Sequence, residues 1–395
     1  MQFLTNLPFD LDLLPKPVYV VGGAVRDLAI STGAVDVARR LAREYQAGFV
    51  LLDAERQIAR VVFPGLTVDI AQIDGADILQ DLARRDYTLN AIAYDLQAGV
   101  TIDPLNGTQD IHQRTIRMVS REHLVDDPLR LLRAYRQGAQ LNFTIESATR
   151  RAIQELVPLL TNVAAERVLA ELRYLCQTPQ SSQWLAMMVA DDLLAGWLEI
   201  PVREDFGERL TQIDRAIDLI RQHYPVLDRE LQQPLRDTIS ISRGAMSKLT
   251  VLLSPELPLA TAQMLRLTFS TIEIQVVKIA ITYLPQLLRG EMSLSEQYFW
   301  FQSVGNNFPL LVILAIASGV KISDLESLID RYLDPNDQVA HPTPLVNGHN
   351  LIQALQIAPS PTIGKLLTEI QLARIMGKIA TPADAIQFAQ QMIES

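Results

Sequence analysis

Residues 18–27 are Val-Tyr-Val-Val-Gly-Gly-Ala-Val-Arg-Asp, and this stretch decides the fold of the N-terminal part of the chain. Four β-branched or aromatic residues in succession predict a buried strand, and the glycine pair predicts the tight turn that ends it. The two glycines also let backbone amides approach an anion, which Arg26 is placed to hold. A simple tight turn explains the same pattern, so a phosphate-binding role for Gly22, Gly23 and Arg26 depends on further motifs.

The sequence around this turn alternates between strand and helix patterns. Residues 34–46 place their apolar side chains on one helical face, and residues 49–52, 58–63 and 67–73 are short apolar runs. Pro64-Gly65 predicts a hairpin between the last two runs, so the strands are expected to share one mixed sheet. From about Asp127 onward nearly every periodic segment has helical spacing, which predicts a predominantly α remainder.

Composition limits the class of protein. A chain of 395 residues with 48% hydrophobic and 20% charged residues is expected to form two to four folded units. The net charge of -10 argues against wholesale coating of nucleic acid, so any such contact is local. Cys176 is the single cysteine and is predicted to be a core thiol. The apolar run 308–320 is too short to span a bilayer, and the N-terminus lacks the features of a secretory signal. A cytoplasmic protein without membrane contact is expected.

A second cluster is Arg-Arg-Asp-Tyr-Thr-Leu-Asn-Ala at residues 84–91. It predicts a helix start capped by Asp86, preceded by two solvated arginines. Its functional interpretation is a guanidinium, preferably that of Arg85, held beside a triphosphate.

The third cluster, residues 126–136, is Asp-Asp-Pro-Leu-Arg-Leu-Leu-Arg-Ala-Tyr-Arg. Asp127 is predicted to be the N-cap of a helix that begins at Pro128. Stability explains those two residues but leaves unexplained the arginines at spacing three, Arg130, Arg133 and Arg136. They form either a solvated face or, with Asp127, a set of donors and acceptors for a nucleobase edge.

In this order and at these separations, the three clusters resemble the class II nucleotidyltransferases that add CCA or A to tRNA 3′ ends, and their poly(A) polymerase relatives. The resemblance extends to residues 103–107, 140–145, 164–168, 345–352, 361–367 and 377–381; between about 180 and 340 only the helical pattern matches. It implies an α+β nucleotidyltransferase-type head with a small mixed sheet, followed by all-α neck, body and tail domains. The expected boundaries are 1–118 for an incomplete head, 119–180 for the neck with the base-reading motif, 181–335 for the body and 336–395 for a tRNA-binding tail.

The resemblance also implies a reaction, in which a nucleotide is transferred from CTP or ATP to an RNA 3′-hydroxyl with the help of Mg²⁺. The implied nucleotide-binding residues are Gly22, Gly23, Arg26, Arg85, Asn90, Asp127, Arg130, Arg133 and Arg136. Asp127 and Arg130 are expected to contact the base. Asp69 and Asp86 are candidate catalytic acids, and Asp69 is the one candidate metal ligand. The expected partners are ATP or CTP and the tRNA 3′ end, while the oligomeric state stays open.

The chain departs from the family pattern in one place. The family continues after the glycine turn to a strand that carries Asp-x-Asp, whose carboxylates bind the metal ions. Here Asp27-Leu28-Ala29-Ile30-Ser31-Thr32 leads straight into Gly33 and the next helix, so this strand is predicted to be missing. Asp36 has no carboxylate at spacing two and is expected to be a solvated charge on the helix.

The resulting prediction is a template-independent tRNA 3′-end nucleotidyltransferase whose activity is impaired by the absent Asp-x-Asp pair. Two explanations of the departure are an in-frame deletion in a working enzyme and a non-catalytic nucleotide- or RNA-binding paralogue. A poly(A) polymerase is a further alternative. An unrelated helical scaffold that uses the three motifs structurally requires three coincidences.

Overall fold

The computed structural model describes residues 8–22, 27–198, 206–236 and 239–394. The chain divides into two compact units, the first comprising Met1–Glu171 with Met187–Gly196 and the second Leu172–Ala186 with Trp197–Ser395. The finer division into head, neck, body and tail stays a prediction.

The first unit contains a seven-stranded sheet, which confirms the predicted mixed sheet and adds strands that the sequence analysis did not identify. Its strands are β1 (Val18–Val21), β2 (Asp27–Ile30), β3 (Gly48–Asp53), β4 (Ile58–Phe63), β5 (Leu66–Gln72), β6 (Ala93–Asp95) and β7 (Val100–Ile102). Their spatial order is β3-β4-β5-β2-β1-β6-β7. Only β2 and β5 pair in parallel, and the other neighbours are antiparallel. The predicted hairpin is the β4–β5 pair.

Short strand pairs complete the β-structure: β8 (Thr115–Ile116) with β9 (Thr144–Ile145), and β10 (Pro234–Arg236) with β11 (Ile239–Ser242). The helices are α1 (Ala34–Glu44), α2 (Ile78–Ala83), α3 (Gly107–His112), α4 (Arg121–Asp126), α5 (Leu129–Leu141), α6 (Ser147–Leu156), α7 (Ala165–Gln177), α8 (Ser182–Ala190), α9 (Phe206–His223), α10 (Pro225–Gln232), α11 (Arg243–Leu252), α12 (Leu257–Arg266), α13 (Thr271–Arg289), α14 (Leu294–Val304), α15 (Phe308–Ala317), α16 (Ile322–Leu333), α17 (Gly348–Leu355), α18 (Pro361–Ile375) and α19 (Pro382–Glu394).

The prediction that a central strand is missing is wrong, because β2 closes the sheet. Asp27–Ile30 pairs with β1 on one side and with β5 on the other. Leu28 and Ile30 are fully buried, and Ala29 is nearly so. The physical reason is the cost of unpaired buried backbone, which recruits the four residues after the glycine turn as a strand. What the chain lacks is the acidic pair, not the strand.

The two faces of the sheet bury different clusters. One face packs against α1 through Val20, Leu28, Val61, Ile70 and their neighbours, since alternate residues of a strand share a face. The other face buries Val21, Ala29 and Ala93 against Ile78 and Leu82 of α2. Asp27 and Asp69 alternate along their strands with Leu28 and Ile70 of the first set, so they lie on the α2 side of the sheet.

Two capping predictions need correction. Asp127 does not cap α5: the cap position is Pro128, no side chain bonds the free amides, and the Asp127 carboxylate turns to Arg167 instead. Asp86 precedes only a single 3₁₀ turn, Thr88–Asn90, rather than an α-helix. In both cases an arginine from another element competes for the carboxylate, and the stronger charge-assisted bond prevails over the cap.

In the part of the second unit that the structure describes, the regular elements are helices and the β10–β11 pair. Phe308 to Ala315 of α15 are all buried, which confirms the predicted core helix. Among the described residues, the stretch Leu294–Ala317 is long and apolar enough to cross a membrane by length and composition, but 61% of its apolar window is buried inside the protein, as in a core helix. Cys176 is buried, and this burial raises the pKa of its thiol to about 12. Helices α17, α18 and α19 share a separate small core.

Gly107, the first residue of α3, leaves no room for a side chain. A methyl carbon added there would lie 2.1 Å from the backbone oxygen of Thr88 and 2.9 Å from Cγ1 of Ile92. We expect Gly107→Ala to lower the free energy of unfolding by at least about 1–3 kcal/mol, because the backbone must move to relieve the contact. Denaturant unfolding followed by circular dichroism measures the loss.

The matched control is Gly364→Ala in α18, where no described atom lies within 4 Å of the added carbon. This variant is expected to be neutral or stabilising by up to about 1 kcal/mol, since alanine restricts the unfolded chain. Equal stability of the two variants would show that α3 does not pack closely against Thr88.

Candidate nucleotide-binding cavity

A cavity of about 620 Å³ opens on the α2 side of the sheet. Its walls are the turn between β3 and β4, the end of β5, the two arginines that follow α2, and the junction of α4 with α5. Three of the sequence-predicted residues, Arg85, Asp127 and Arg130, line it together. Tertiary structure therefore brings the second and third motifs to one site.

Arg85 connects this cavity to the glycine turn. Its Nε and Nη2 atoms donate to Oδ2 of Asp81 at 3.1 and 2.9 Å, and Nη1 donates to the backbone oxygen of Asn90 at 3.3 Å. Gly22 has a φ of +83°, a conformation that favours glycine. A side chain at Gly22 would meet Oδ2 of Asp27 at 3.3 Å and Nη1 of Arg85 at 3.9 Å, so the backbone, the carboxylate and the guanidinium converge there. Gly23 and Arg26 lie outside the described residues.

Asp127 and Arg130 stand side by side at the start of α5. Asp127 is nearly buried, and its Oδ2 accepts a bond of 2.9 Å from Arg167. Within the described part of the chain, its Oδ1 has no hydrogen-bond partner and remains an acceptor for a ligand. Nη1 of Arg130 donates to the backbone oxygens of Arg84 and His123 at 3.0 and 3.2 Å, which orients the guanidinium without neutralising it. The pair offers one acceptor beside several donors.

Arg133 faces away from the cavity into a buried network. Its Nη2 lies 3.1 Å from Oδ2 of Asp86, which is 5% exposed. Oδ1 of Asp86 accepts bonds from the backbone of Tyr87 and from the side chain of Asn90, each at 2.9 Å. Burial alone would raise the pKa of the Asp86 carboxyl, but the charge of Arg133 and these two hydrogen bonds outweigh it and lower the pKa.

Asn90 and Arg136 are likewise engaged inside the protein. Nδ2 of Asn90 also donates to Oε1 of Gln137 on α5 at 3.1 Å, so the network joins the second motif to the third. Nε of Arg136 donates to Glu171 at 2.5 Å, and its Nη1 donates to Gln140 at 2.8 Å. Neither residue lines the cavity.

The described residues on this face of the sheet do not fit a two-metal centre. Asp27 and Asp69 are register partners on the parallel strands β2 and β5, so their side chains are neighbours on one face. Arg60 of β4, however, grips both oxygens of Asp69 at 2.7 and 2.8 Å. Among the described residues, no group of three His, Cys, Asp or Glu side chains is placed to hold a metal ion. The guanidinium of Arg60 supplies the positive charge that Asp69 faces.

The sequence interpretation missed part of the cavity wall. Glu55, Arg56 and Gln57 of the β3–β4 turn and His123 of α4 line it but belong to none of the three motifs. The one sequence feature that pointed to these residues was the short connection between two predicted strands, since such a connection lies at the end of the sheet where the two strands meet. Only the packing of α4 and α5 decides that the cavity forms at this end of the strands.

Models of three protein families match this chain. They are described as "Poly A polymerase head domain" over residues 67–117, "Probable RNA and SrmB- binding site of polymerase A" over residues 142–202, and "tRNA nucleotidyltransferase domain 2 putative" over residues 240–389. The head model begins at residue 67, after the glycine turn and the strand that follows it.

A curated relative, the CC-adding tRNA nucleotidyltransferase of Synechocystis, is 40% identical over 99% of this chain and 97% of its own length. The chain belongs to the tRNA nucleotidyltransferase and poly(A) polymerase family. This alignment spans 407 positions, more than the 395 residues of the chain, so the relative has residues without a counterpart here. The CC-adding tRNA nucleotidyltransferase of Geobacter sulfurreducens is 27% identical over 94% of this chain and 90% of its own length.

Solved structures of the family share the fold. A CCA-adding enzyme determined with ATP superposes with a TM-score of 0.71 at 24% identity, covering 96% of this chain and 90% of that one. The Thermotoga maritima CCA-adding enzyme complexed with tRNA superposes with a TM-score of 0.67 at 22% identity, covering 95% and 91%. The mixed-sheet head followed by a helical remainder is thus the fold of this family.

Proposed function

We propose that this chain binds CTP in the cavity and adds cytidine to the 3′ end of tRNA, at a rate lowered by its incomplete metal centre. The observation that carries the proposal is the open Oδ1 acceptor of Asp127, which lines the cavity beside the donors of Arg130. Cytosine presents an amino donor next to ring acceptors, which this pair complements, whereas uracil places an acceptor against Asp127. The base is thereby selected by protein groups, without a template.

Adenine offers the same donor and acceptor order, so geometry alone does not exclude ATP. The preference for CTP is supported by the two CC-adding relatives, which match nearly the whole chain. We assign the phosphates to Gly22, Gly23, Arg26 and Arg85, and a supporting role to Asn90, Arg133 and Arg136. The predicted catalytic roles of Asp69 and Asp86 stay predictions, since arginines engage both carboxylates. A tRNA-binding tail and a cytoplasmic location are part of the same proposal.

A second candidate function is nucleotide and tRNA binding without catalysis. The Arg60–Asp69 ion pair and the missing acidic pair favour it, because nucleotidyl transfer in this family relies on metal ions to neutralise the reacting phosphate. The two candidates share one binding site and differ only in turnover.

The deciding experiment is incorporation of labelled CTP or ATP into tRNA ending before CCA, after the first C, or after CC. We expect C addition to the first two substrates and no A addition. The rate is expected to be at least about a hundredfold below that of the Synechocystis relative assayed in parallel, since metal ligation contributes several kcal/mol to such reactions.

Equal rates for the two proteins would contradict the impairment. Binding of CTP and tRNA with no incorporation would establish the non-catalytic candidate instead. If neither ligand binds, the proposed function is wrong. Addition of A to tRNA ending in CC, with no C addition, would show that the chain uses ATP rather than CTP.

A further inference from the structure

Arg56 lies on the cavity wall outside the motifs of the family resemblance. It is an exposed residue of the four-residue connection between β3 and β4, and it lines the cavity with its neighbours Glu55 and Gln57. The connection is ordered by local bonds: the Arg56 amide donates to Oδ1 of Asp53 at 2.9 Å, and Nε2 of Gln57 donates to the oxygen of Ala54 at 2.7 Å. The Arg56 guanidinium is therefore presented from a defined turn.

The arginines that line the cavity differ in how their charge is balanced. Arg84 pairs with Asp74 at 2.5 Å and Arg85 with Asp81 at 2.9 Å. Arg56 and Arg130 have no carboxylate within 4.0 Å in the described part of the chain, although Glu55 and Asp126 also line the cavity and are exposed. The guanidinium groups of Arg56 and Arg130 therefore both line the cavity without a direct ion pair.

These two charges repel each other through the cavity. Burial lowers the pKa of the Arg130 guanidinium, the carboxylates of Asp86 and Asp127 oppose this effect, and the positive charges of Arg133 and Arg56 lower the pKa further. Among the carboxylates that line the cavity, Asp74, Asp81 and Asp127 are already paired with arginines. Glu55 and Asp126 are exposed to solvent, so the charges of Arg56 and Arg130 can attract an anion. A planar guanidinium fork matches the oxygens of a phosphate group.

We propose that Arg56 is a phosphate-binding residue of this cavity, acting from the connection between β3 and β4. The phosphate belongs either to the nucleotide or to the backbone of the RNA end that must approach it. This inference rests on the proposed function, because both sources are its substrates. The charge of Arg56 would then replace part of the positive charge that metal ions supply at a complete metal centre.

The test is Arg56→Gln in the full chain, with binding of CTP, tripolyphosphate, cytidine and tRNA measured by calorimetry or fluorescence anisotropy. If the nucleotide is the source, CTP and tripolyphosphate bind about tenfold more weakly and cytidine is unchanged, as expected for one lost charge-assisted bond. If the RNA is the source, tRNA binds more weakly and its salt dependence falls by about one unit, with CTP unchanged. Either result supports the assignment.

Arg43→Gln is the matched control, since it removes the same charge from α1 on the opposite face of the sheet. Unchanged binding of CTP, tripolyphosphate and tRNA by Arg56→Gln, with wild-type binding intact, would overturn the assignment and leave the proposed function standing. An equal loss in Arg43→Gln would overturn it too, because the effect would then be one of net charge. Failure of the wild-type chain to bind CTP or tRNA refutes the proposed function instead.

Discussion

Replacing Arg133 with methionine is expected to lower the local stability of the first unit by about 3 kcal/mol, the low end of the cost of orphaning a buried charge. Methionine keeps much of the side-chain volume but removes the cation that lies 3.1 Å from Oδ2 of Asp86. That oxygen is buried and has no hydrogen bond of its own in the described structure. The low end applies because Arg133 itself is partly exposed and Asp86 keeps two hydrogen bonds on its other oxygen.

Hydrogen exchange of the α5 amides, followed by mass spectrometry, measures this loss as a lower opening free energy. A second variant, Asp86→Asn combined with Arg133→Met, removes the orphaned charge and is expected to recover more than half of it. Arg39→Met is the control: its pair with Asp36 is mostly exposed, so its loss is expected to stay near about 0.3–0.5 kcal/mol. Similar losses in the two single variants would mean that the Asp86–Arg133 pair does not tie α5 to the second motif.

The pH dependence follows from the same pair. In the wild-type protein the pKa of Asp86 is lowered in the folded state, so its stabilising effect is complete above the pKa of an unfolded aspartate and is lost as the pH falls through the folded value. In Arg133→Met, burial is no longer opposed by that charge and raises the pKa of the carboxyl. The deficit of the variant is therefore expected to shrink between pH 7 and pH 4, whereas a deficit independent of pH would point to lost packing.

Replacing Arg130 with glutamine is expected to weaken CTP binding about tenfold to a hundredfold, the range for a lost base-edge contact. The change removes donors beside Asp127 and one of the two unbalanced charges of the cavity. Cytidine should lose affinity as well, since the contact is to the base. Arg43→Gln serves again as the control for net charge, and circular dichroism checks that α5 remains folded.

Asp127→Asn gives the complementary result, because it replaces an acceptor at the open Oδ1 position by a group that also donates. Preference for CTP over UTP is expected to fall about tenfold, since an amide donates to the uracil oxygen that a carboxylate repels. Competition binding with the four nucleoside triphosphates measures this ratio. If the ratio is unchanged while overall affinity falls, Asp127 holds Arg167 and α5 in place and does not contact the base.

Much of the fold followed from local patterns. The strands near 18–21, 49–52, 58–63 and 67–73, helix α1 and the buried α15 were all predicted, because alternation and helical spacing of apolar residues report directly on burial. The strand at Asp27–Ile30 was not. Four residues between a glycine turn and a helix carry too little pattern, and only their pairing with β1 and β5 makes them a strand.

The residues of the candidate site also fall into those that the sequence identified and those that only the folded structure places. Motif order was enough to select Arg85, Asp127 and Arg130, and the structure brings these three to one cavity. The structure also turns Arg133 and Arg136 inward, away from the cavity that Arg130 lines. The sequence gives no sign of this difference, because the three arginines follow one another on α5 at equal intervals of three residues. Helical periodicity places residues on a face but leaves open what packs against that face, and here Asp86 and Glu171 determine the outcome.

The sequence by itself determined the family, the division into a mixed-sheet head and a helical remainder, and the loss of the Asp-x-Asp pair, since each of these is a matter of residue type and local spacing. Tertiary structure alone decided that the sheet stays continuous, that Arg60 neutralises Asp69, and that Arg56 meets the cavity of Arg130. These features join residues that are distant in sequence, and their free energy comes from pairing and desolvation that exist only once the chain has folded.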